Sequence, residues 1–289
     1  MPSTRDIRRR IKSVKNTAQI TKAMQMVAAS RMRKAQQQAL AGHPYLEMMN
    51  HIGLHLRGAL LLNDFHHPLI ERRPRQRVGK IVITTDRGLC GALNANLLRL
   101  VNDDHDESEQ QIFYVSVGRK GRQFLARTQR EMSADFEIKD NFSFRDSRRA
   151  SLFLMDKFID GSVDAVEVYF NKFVNTIVQE PIRIPLLPLG METVGQDPAA
   201  APEMREYLFE PSAPELLGKL LPYFVHMMFY QMLLDSKASE HSARMVAMKN
   251  ATDNAKQMIK DLTLDFNKLR QAAITTELLE ISTAQMSLD

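Results

Sequence analysis

Residues 234–273, LDSKASEHSARMVAMKNATDNAKQMIKDLTLDFNKLRQAA, decide the fold because small and apolar residues recur along them in a four-three spacing. A narrow stripe with this period is typical of a coiled coil rather than of a helix lying on a globular core. The surrounding segment from Tyr223 to Asp289 has no glycine or proline. It predicts one helix of about 100 Å, at ~1.5 Å per residue. The seam positions are Leu234, Ala238, His241, Met245, Met248, Thr252, Ala255, Ile259, Leu262, Phe266, Leu269 and Ala273.

The N-terminal segment supplies a candidate partner helix. Thr4 to Ala41 also lacks glycine and proline, and Ser3 or Thr4 is a suitable helix cap. Its four-three positions are Ile7, Ile11, Val14, Ala18, Thr21, Gln25, Ala28, Met32, Ala35 and Ala39. Because alanine is small, this seam allows close approach of two helices, and we expect an antiparallel pair made by the two ends of the chain. Met24 and Val27 form a second stripe that could face a third body. The alternative is two ordinary helices of an all-α bundle.

The residues between the two helices change period and predict a small open α/β sheet. The expected strands are Val78–Thr85, Ile112–Val117 and Ala165–Phe170, with Phe173–Val178 continuing or pairing with the third. The expected helices are Leu93–Val101, a short one after Gly121, and Arg145–Ile159. Pro181 to Pro214 holds seven of the twelve prolines and predicts a linker, in which Tyr207–Phe209 could add an edge strand.

Composition fits a soluble globular protein, with 44% hydrophobic and 25% charged residues. Cys90 is the only cysteine, so no intrachain disulfide can form, and a reducing compartment and a structural thiol are expected. The longest apolar run, Phe224 to Leu234, is too short for a bilayer, which needs about 20 residues. No signal peptide is expected at the start of the chain.

The net charge of +5 comes from the N-terminal helix, which has ten basic residues and only one acidic residue, Asp6. The basic residues are Arg5, Arg8, Arg9, Arg10, Lys12, Lys15, Lys22, Arg31, Arg33 and Lys34. Three interpretations remain open: a nucleic-acid-binding arm, an organelle transit peptide, or a surface that meets an acidic protein. The regular alanine seam argues against a discarded segment, and few aromatic residues support nucleic-acid binding.

The α/β domain lacks the sequence motifs of a nucleotide site or an enzyme. Neither a GxxxxGK[ST] phosphate loop nor a GxGxxG fingerprint is present. Gly118–Gly121 (GRKG) resembles a nucleic-acid-clamping GXXG loop, although a tight turn explains it more simply. His51 and His55 lie four residues apart without the acidic residue of an HExxH metal site, and no nearby histidine would activate Cys90. We therefore expect no catalytic residue, cofactor or metal.

Three stretches of the sequence resemble one known family when they are taken together. The first joins IKSVKNT at 11–17 to ITKAM at 20–24 and MVAAS at 26–30. The second is TDRGLCG at 85–91. The third joins SEH at 239–241 and ARMVAMKNATDN at 243–254 to RQAAIT at 270–275. In this order, over the whole chain, they closely resemble the gamma subunit of F-type ATP synthases, the central rotor shaft.

The resemblance implies an α/β fold class: a long antiparallel coiled coil of the N- and C-terminal helices plus a small Rossmann-like domain without a nucleotide. Residues 1–62 and 212–289 would form the coiled coil, and 75–195 a globular foot. It further implies a non-catalytic rotary subunit, one copy per complex, on the cytoplasmic face of the bacterial inner membrane. The implied partners are the alpha and beta subunits, the epsilon subunit and the membrane c-ring, with no nucleic acid.

The resemblance also implies contact residues. Those expected to meet the alpha/beta hexamer are Met24, Arg270, Gln271, Ile274, Glu277 and Leu278. Arg87 and Leu89 are expected to meet the epsilon subunit or the membrane ring. The C-terminal helix outruns its partner, so its turns from about Ile274 should stand alone inside an apolar collar. The competing hypotheses are a nucleic-acid-binding protein that uses the basic helix and an enzyme that uses the α/β domain.

Overall fold

The computed structural model describes residues 3–62, 67–104, 111–140, 142–189 and 212–286. The chain divides into two compact units, one of Met1–Ala29 with Arg244–Asp289 and one of Ser30–Ala243. Two long helices, α1 (Thr4–Leu62) and α5 (Ala213–Met286), contribute residues to both units. The predicted fold class, two long terminal helices with an α/β domain between them, is confirmed.

The first unit is an antiparallel helix pair, as the two seams predict. The hydroxyl oxygens of Thr21 and Thr252 lie 2.8 Å apart, whereas Arg8, further toward the start of α1, stacks over the ring of Phe266, further toward the end of α5. The contacting residues therefore follow each other in opposite directions along the two helices. Seam residues buried in this unit are Ile7, Ala28, Met248, Thr252 and Ala255.

Both long helices extend beyond the glycines and prolines that bound the segments Thr4–Ala41 and Tyr223–Asp289. α5 begins at Ala213 and continues through Pro222. An interior proline removes a hydrogen bond and costs ~3 kcal/mol or more. Here Leu217 and Phe224, on either side of it, are buried. Their burial offsets that cost, since each buried large apolar side chain contributes about 1.5–3 kcal/mol.

α1 continues past Ala41 to Leu62, and it contains Pro44. Its Gly42 has a packing role, because a Cβ at that position would lie 2.9 Å from Oε1 of Gln231 on α5. A larger residue would displace the amide end of the Gln231 side chain. Glycine is therefore compatible with the helix here because it permits close approach of a neighbour.

The second unit contains a five-stranded sheet in the order β3-β2-β1-β4-β5. The strands β1 to β4 are parallel, and β5 is antiparallel to β4. Parallel strands that alternate with helices confirm the predicted α/β arrangement. The elements are β1 (Arg77–Ile83), α2 (Leu93–Asp103), β2 (Gln111–Val117), α3 (Arg119–Arg127), β3 (Met132–Phe136), α4 (Phe144–Ile159), β4 (Ala165–Phe173) and β5 (Gln179–Leu187).

Two of these strands were not predicted. β3 is short and carries Ser133 and Asp135 among its five residues, which gives a weak apolar pattern. β5 contains Pro181 and Pro185 and lies in the segment predicted as a linker. It is an edge strand, where proline is tolerated because one row of N–H groups needs no partner in the sheet. The predicted strand at Tyr207–Phe209 lies outside the described residues.

The sheet separates two cores. On one face α4 and α5 cover Ile81, Ile83 and Val115, together with the fully buried Phe229. On the other face α2 and α3 cover Val82, Tyr114 and Tyr169. Successive residues of β1 thus point to opposite cores, as the period of two in a strand requires.

Candidate partner-contact surfaces

The last described turns of α5 form an exposed apolar surface. Leu269 is the last half-buried seam residue, and every residue of 270–283, including the predicted seam residue Ala273, is exposed. Ile274, Leu278 and Ile281 are 48%, 62% and 64% exposed. Side chains of this size are buried in most folds, and a contiguous exposed run marks an interaction surface. We call residues 270–283 the α5 tail.

The α5 tail brings together five of the six residues that were predicted to contact the catalytic head. Arg270, Ile274 and Leu278 follow one another at four-residue intervals and share one face of the helix. Gln271 and Glu277 flank that face, and both are exposed. The arrangement offers a long-chain cation and an amide below a strip of apolar side chains. Their contact with a partner stays a prediction.

The sixth predicted residue, Met24, belongs to a separate stripe on α1. Met24 is half-buried, while Ile20 and Val27, four residues before and three after it, are exposed. The three share one helix face, because residues three or four apart are neighbours. The second stripe predicted beside the seam is therefore present, and it offers apolar surface.

The loop between β1 and α2 is held rigidly while its tip faces solvent. The Thr85 hydroxyl donates to the carbonyl oxygen of Arg87 at 2.8 Å, and the Asn94 amide donates to the Thr85 hydroxyl at 2.7 Å. Leu89 is 61% exposed and has a φ of 63°, a left-handed conformation that leucine rarely adopts. Such strain persists only where the surrounding structure fixes it. The loop therefore presents Arg87 and Leu89 on a fixed frame.

The start of α3 does not offer the free amides that a phosphate group would need. In nucleotide-binding folds, phosphate sits on N–H groups at a helix N-terminus. Here the amide of Arg119 donates to Oδ1 of Asp86 at 3.0 Å, and that of Lys120 donates to the carbonyl oxygen of Thr85 at 3.1 Å. The Gly121 amide donates to the Thr84 hydroxyl at 2.7 Å. Protein groups thus occupy the position of a phosphate, and the segment GRKG forms the helix start rather than an open clamp.

A partly buried charged cluster lies on the α2 side of the sheet, and sequence reasoning missed it. Lys80 of β1 donates to Oδ2 of Asp104 at 3.2 Å, and Arg183 of β5 donates to Oδ1 of the same carboxylate at 2.8 Å. The Tyr169 hydroxyl donates to Oε2 of Glu167 at 3.2 Å, and burial followed by the bond to Asp104 raises the pKa of Tyr169. Pairing compensates for the desolvation of the largely buried Lys80, so loss of one partner would leave its charge uncompensated. The one sign of this cluster in the sequence was Lys80, a charged residue within the otherwise uncharged stretch VGKIVITT.

A second buried polar pair joins α4 to α5. A ring nitrogen of His226, Nδ1, lies 2.6 Å from the hydroxyl oxygen of Ser151. His226 is 4% exposed. Its burial, followed by the positive charge of Arg148, lowers the pKa of the imidazole. The neutral imidazole is therefore the form that this packing favours.

The described part of the chain gives no sign of a metal site or a membrane span. Within it, no three histidine, cysteine or acidic side chains come together as a metal would require. Nor does any helix there combine the length and apolarity needed to cross a bilayer. The side chains of His51 and His55, considered above as metal ligands, lie outside the described part.

Comparison with known proteins gives matches along the full chain. A family model described as ATP synthase matches residues 3–288. The ATP synthase gamma chain of Methylacidiphilum infernorum is 48% identical over 300 residues, covering 100% of both chains. That of Opitutus terrae is also 48% identical, over 99% of each chain.

Solved structures share the fold. A chain of the Euglena gracilis mitochondrial ATP synthase OSCP/F1/c-ring assembly in rotational state 3 matches with a TM-score of 0.68 and 19% identity, over 99% of this chain and 94% of that one. A chain of the Tetrahymena thermophila mitochondrial ATP synthase central stalk/c-ring matches with a TM-score of 0.62 and 24% identity, over 80% of this chain and 99% of that one.

Proposed function

The chain belongs to the ATP synthase gamma chain family, and we propose that it is the rotary central-stalk subunit of an F-type ATP synthase. In that role it couples ion flow through the membrane ring to ATP synthesis or hydrolysis in the alpha/beta hexamer. The observation that carries the proposal is the exposed apolar α5 tail in a chain that matches this family from end to end. A surface of this kind needs cover from other subunits.

The helix pair is suited to transmit torque. Two packed helices resist twisting better than one, and the buried seam keeps them in register. The α5 tail would turn inside an apolar collar of the hexamer, where Ile274, Leu278 and Ile281 meet apolar surface without fixed hydrogen bonds. Apolar contact is non-directional, so it permits rotation.

Arg270 and Gln271 would supply the directional contact. Both are exposed at the base of the α5 tail, just beyond the seam residue Leu269. A charge-assisted hydrogen bond contributes about 1.5–3 kcal/mol. One such bond to a single beta subunit is enough to favour one conformation of that subunit over the others, and rotation would offer it to each beta subunit in turn.

The proposed partners follow from these surfaces. Met24, on the α1 stripe, and the α5 tail, with Glu277 among its residues, would contact the alpha and beta subunits. The rigid loop with Arg87 and Leu89 would contact the epsilon subunit or the c-ring. One copy of the chain would serve each complex, as a peripheral subunit on the cytoplasmic face of the bacterial inner membrane.

The loop assignment can be tested by photo-crosslinking in the assembled enzyme. A photoreactive amino acid in place of Leu89 should crosslink to the epsilon subunit or the c-ring. The matched control is the same probe in place of Ile159, an exposed apolar residue at the end of α4. Crosslinks from position 89 to alpha or beta instead would contradict the assignment.

The subunit itself is proposed to be non-catalytic. The first amides of α3 are bonded to protein atoms, and the sequence has no phosphate loop. The isolated chain should therefore neither hydrolyse ATP nor bind it at micromolar concentration. Turnover by the purified chain, free of alpha and beta, would overturn this part of the proposal.

Purification from the native membrane tests the whole proposal. The tagged chain should co-purify with alpha, beta, epsilon and the membrane ring, in a ratio of one copy to three alpha–beta pairs. No observation favours the nucleic-acid alternative. Recovery of the chain with DNA or RNA, lost steeply as salt rises, would favour that alternative and contradict the rotor.

A further inference from the structure

The segment from β3 to α4 reaches across to the long helices within the second unit. Its two apolar residues, Ile138 and Phe142, are buried in the core that α4 and α5 cover. The Phe142 ring packs edge-on against the ring of Tyr230 on α5, with 5.6 Å between centroids. These anchors, one on either side, hold Asp140 in place.

Asp140 contacts both long helices at once. Its Oδ2 forms an ion pair with Arg31 of α1, and its Oδ1 accepts a hydrogen bond from Nζ of Lys237 on α5 at 3.4 Å. Lys237 also donates to Oε2 of Glu240 at 3.1 Å. The side chains of Lys237 and Glu240 are 11% and 5% exposed. One carboxylate therefore joins α1, α5 and the α/β domain.

The charges around Asp140 favour its ionised form. Burial alone would raise its pKa, but the positive charges of Lys237, His241 and Arg31 outweigh that effect and lower the pKa of the carboxyl below its ordinary value. Without Asp140, Glu240 alone would balance the charge of the largely buried Lys237, and Arg31 would lose its ion pair with the segment after β3.

The two helices also approach each other closely in this unit. Ala35 and Ala39 of α1 are buried, and Gly42 leaves room for Gln231 of α5. The Gln231 amide donates to the carbonyl oxygen of Ala39 at 3.5 Å. These contacts fix the distance between the helices, whereas the Asp140 contacts tie both of them to the segment after β3.

We propose that Asp140 is a positioning residue that clamps α1 and α5 to the α/β domain, so that the three turn as one body. The inference rests on the proposed rotor function and adds to it a point through which torque passes. A force applied to the domain reaches both helices through this carboxylate, in addition to the apolar core to which Ala39 of α1 and Phe229 of α5 belong. Without the clamp, both helices keep their apolar packing against the domain but lose the polar contact that holds them to the segment after β3.

The test is the torsional stiffness of the rotor in the assembled enzyme. Angular fluctuations are recorded by single-molecule rotation during the pause before ATP binding, with the head fixed and a probe on the α/β domain. Asp140→Asn should raise the variance of the angle about twofold, because one carboxylate holds both helices. Lys237→Met should do the same, and the double variant should be no softer than either single one, since both act through one contact.

Two controls separate this role from a general loss of stability. Asp160→Asn removes an exposed carboxylate that forms an ion pair with Lys157 at 3.7 Å and accepts a hydrogen bond from the Ser162 amide at 2.8 Å, and it should leave the variance unchanged. Asp140→Glu keeps the charge and should restore most of the stiffness. Denaturation of each isolated variant reports stability independently.

The outcomes are distinct. If wild-type enzyme does not rotate, the rotor function fails and the clamp with it. If the wild type rotates and Asp140→Asn is equally stiff, the clamp is overturned and the rotor function stands. A variant that is less stable but equally stiff also overturns the clamp, because it shows a structural role only. Additive softening by Asp140→Asn and Lys237→Met would contradict a shared contact.

Discussion

Helix α5 contains two apolar stretches with opposite environments. In Phe224–Leu234 the residues Val225 and Phe229 are fully buried and packed against the sheet. In the α5 tail, Ile274 and Leu278 are about half exposed or more. The same helix thus carries one stretch that its own chain covers and one that it leaves open. The first stabilises the fold, and the second is surface for another subunit.

The polar side chains of the α5 tail reinforce this difference. The hydroxyls of Thr275, Thr276 and Thr283 donate to carbonyl oxygens four residues earlier in the helix, at 2.8–3.0 Å. Their hydrogen bonds are therefore made within the helix rather than held out for a partner. What remains for a partner is mainly the apolar strip and the exposed groups of Arg270 and Gln271.

The strongest way to break the comparison is to interrupt the helix between the two stretches. Ala255→Pro places proline at a buried seam position, where the lost hydrogen bond and the steric clash cost ~3 kcal/mol or more. We expect a complex that assembles poorly and does not couple ATP hydrolysis to ion pumping. Co-purification and pumping assays measure this, with Gln257→Ala as an exposed control. Normal assembly and coupling would contradict a continuous helix that transmits torque.

The two stretches should respond differently to the loss of an apolar side chain. Phe229→Ala removes a fully buried ring and should lower the free energy of unfolding by about 3–5 kcal/mol. Ile281→Ala, in the exposed tail, should change it by less than about 0.5 kcal/mol. Chemical denaturation of the isolated chain measures both. Similar losses from the two variants would mean that the tail is packed within the chain.

The tail should matter for activity where it does not matter for stability. Arg270→Ala combined with Gln271→Ala leaves the seam untouched, so assembly should persist. ATP turnover should fall about tenfold or more if one bond of about 1.5–3 kcal/mol is lost. The ATPase rate of the reconstituted enzyme is measured beside that of Lys260→Ala, an exposed residue earlier on α5. Unchanged turnover would show that the pair makes no functional contact.

The smallest expected effect is a pH dependence confined to the covered stretch. The pKa of His226 is lowered in the folded chain, so the unfolded chain binds a proton first as pH falls below about 6.5. Stability from the neutral imidazole is complete above that pH and declines as pH falls toward the folded pKa. Unfolding followed from pH 7.5 to 5.5 should show this decline in the wild type and less of it in His226→Gln. An equal loss of stability in the wild type and in His226→Gln would show that other groups cause the pH dependence.

Titration of Asp140 should not contribute to the loss of stability between pH 7.5 and 5.5. Its pKa is also lowered in the folded chain, so it contributes stability above the ordinary aspartate value of about 3.9 and loses it only as pH falls further. Burial also lowers the pKa of His67, so its contribution to stability falls with pH in the same direction as that of His226. His67→Gln is therefore the matched comparison for the slope.

The sequence predicted the parts of the molecule that depend on local pattern. The four-three seams gave the helix pair, and the apolar runs gave β1, β2 and β4. Glycine and proline mislead a local pattern where packing accommodates them, as at Gly42 and Pro222 inside the long helices. The strand β5 was not predicted, because its Pro181 is tolerated only on an edge strand. The exposed tail followed from comparing helix lengths, but the Asp140 contacts could not be predicted, because they join three segments far apart in the chain.

The most direct test of the central claim is whether the α5 tail is covered in the complex. Leu278→Cys places a thiol on the exposed strip, while the natural Cys90 is buried and serves as the internal background. A bulky maleimide should modify Leu278→Cys rapidly in the isolated chain and at least about tenfold more slowly once alpha and beta subunits are bound. Equal labelling rates before and after assembly would contradict a shaft that turns inside the catalytic head.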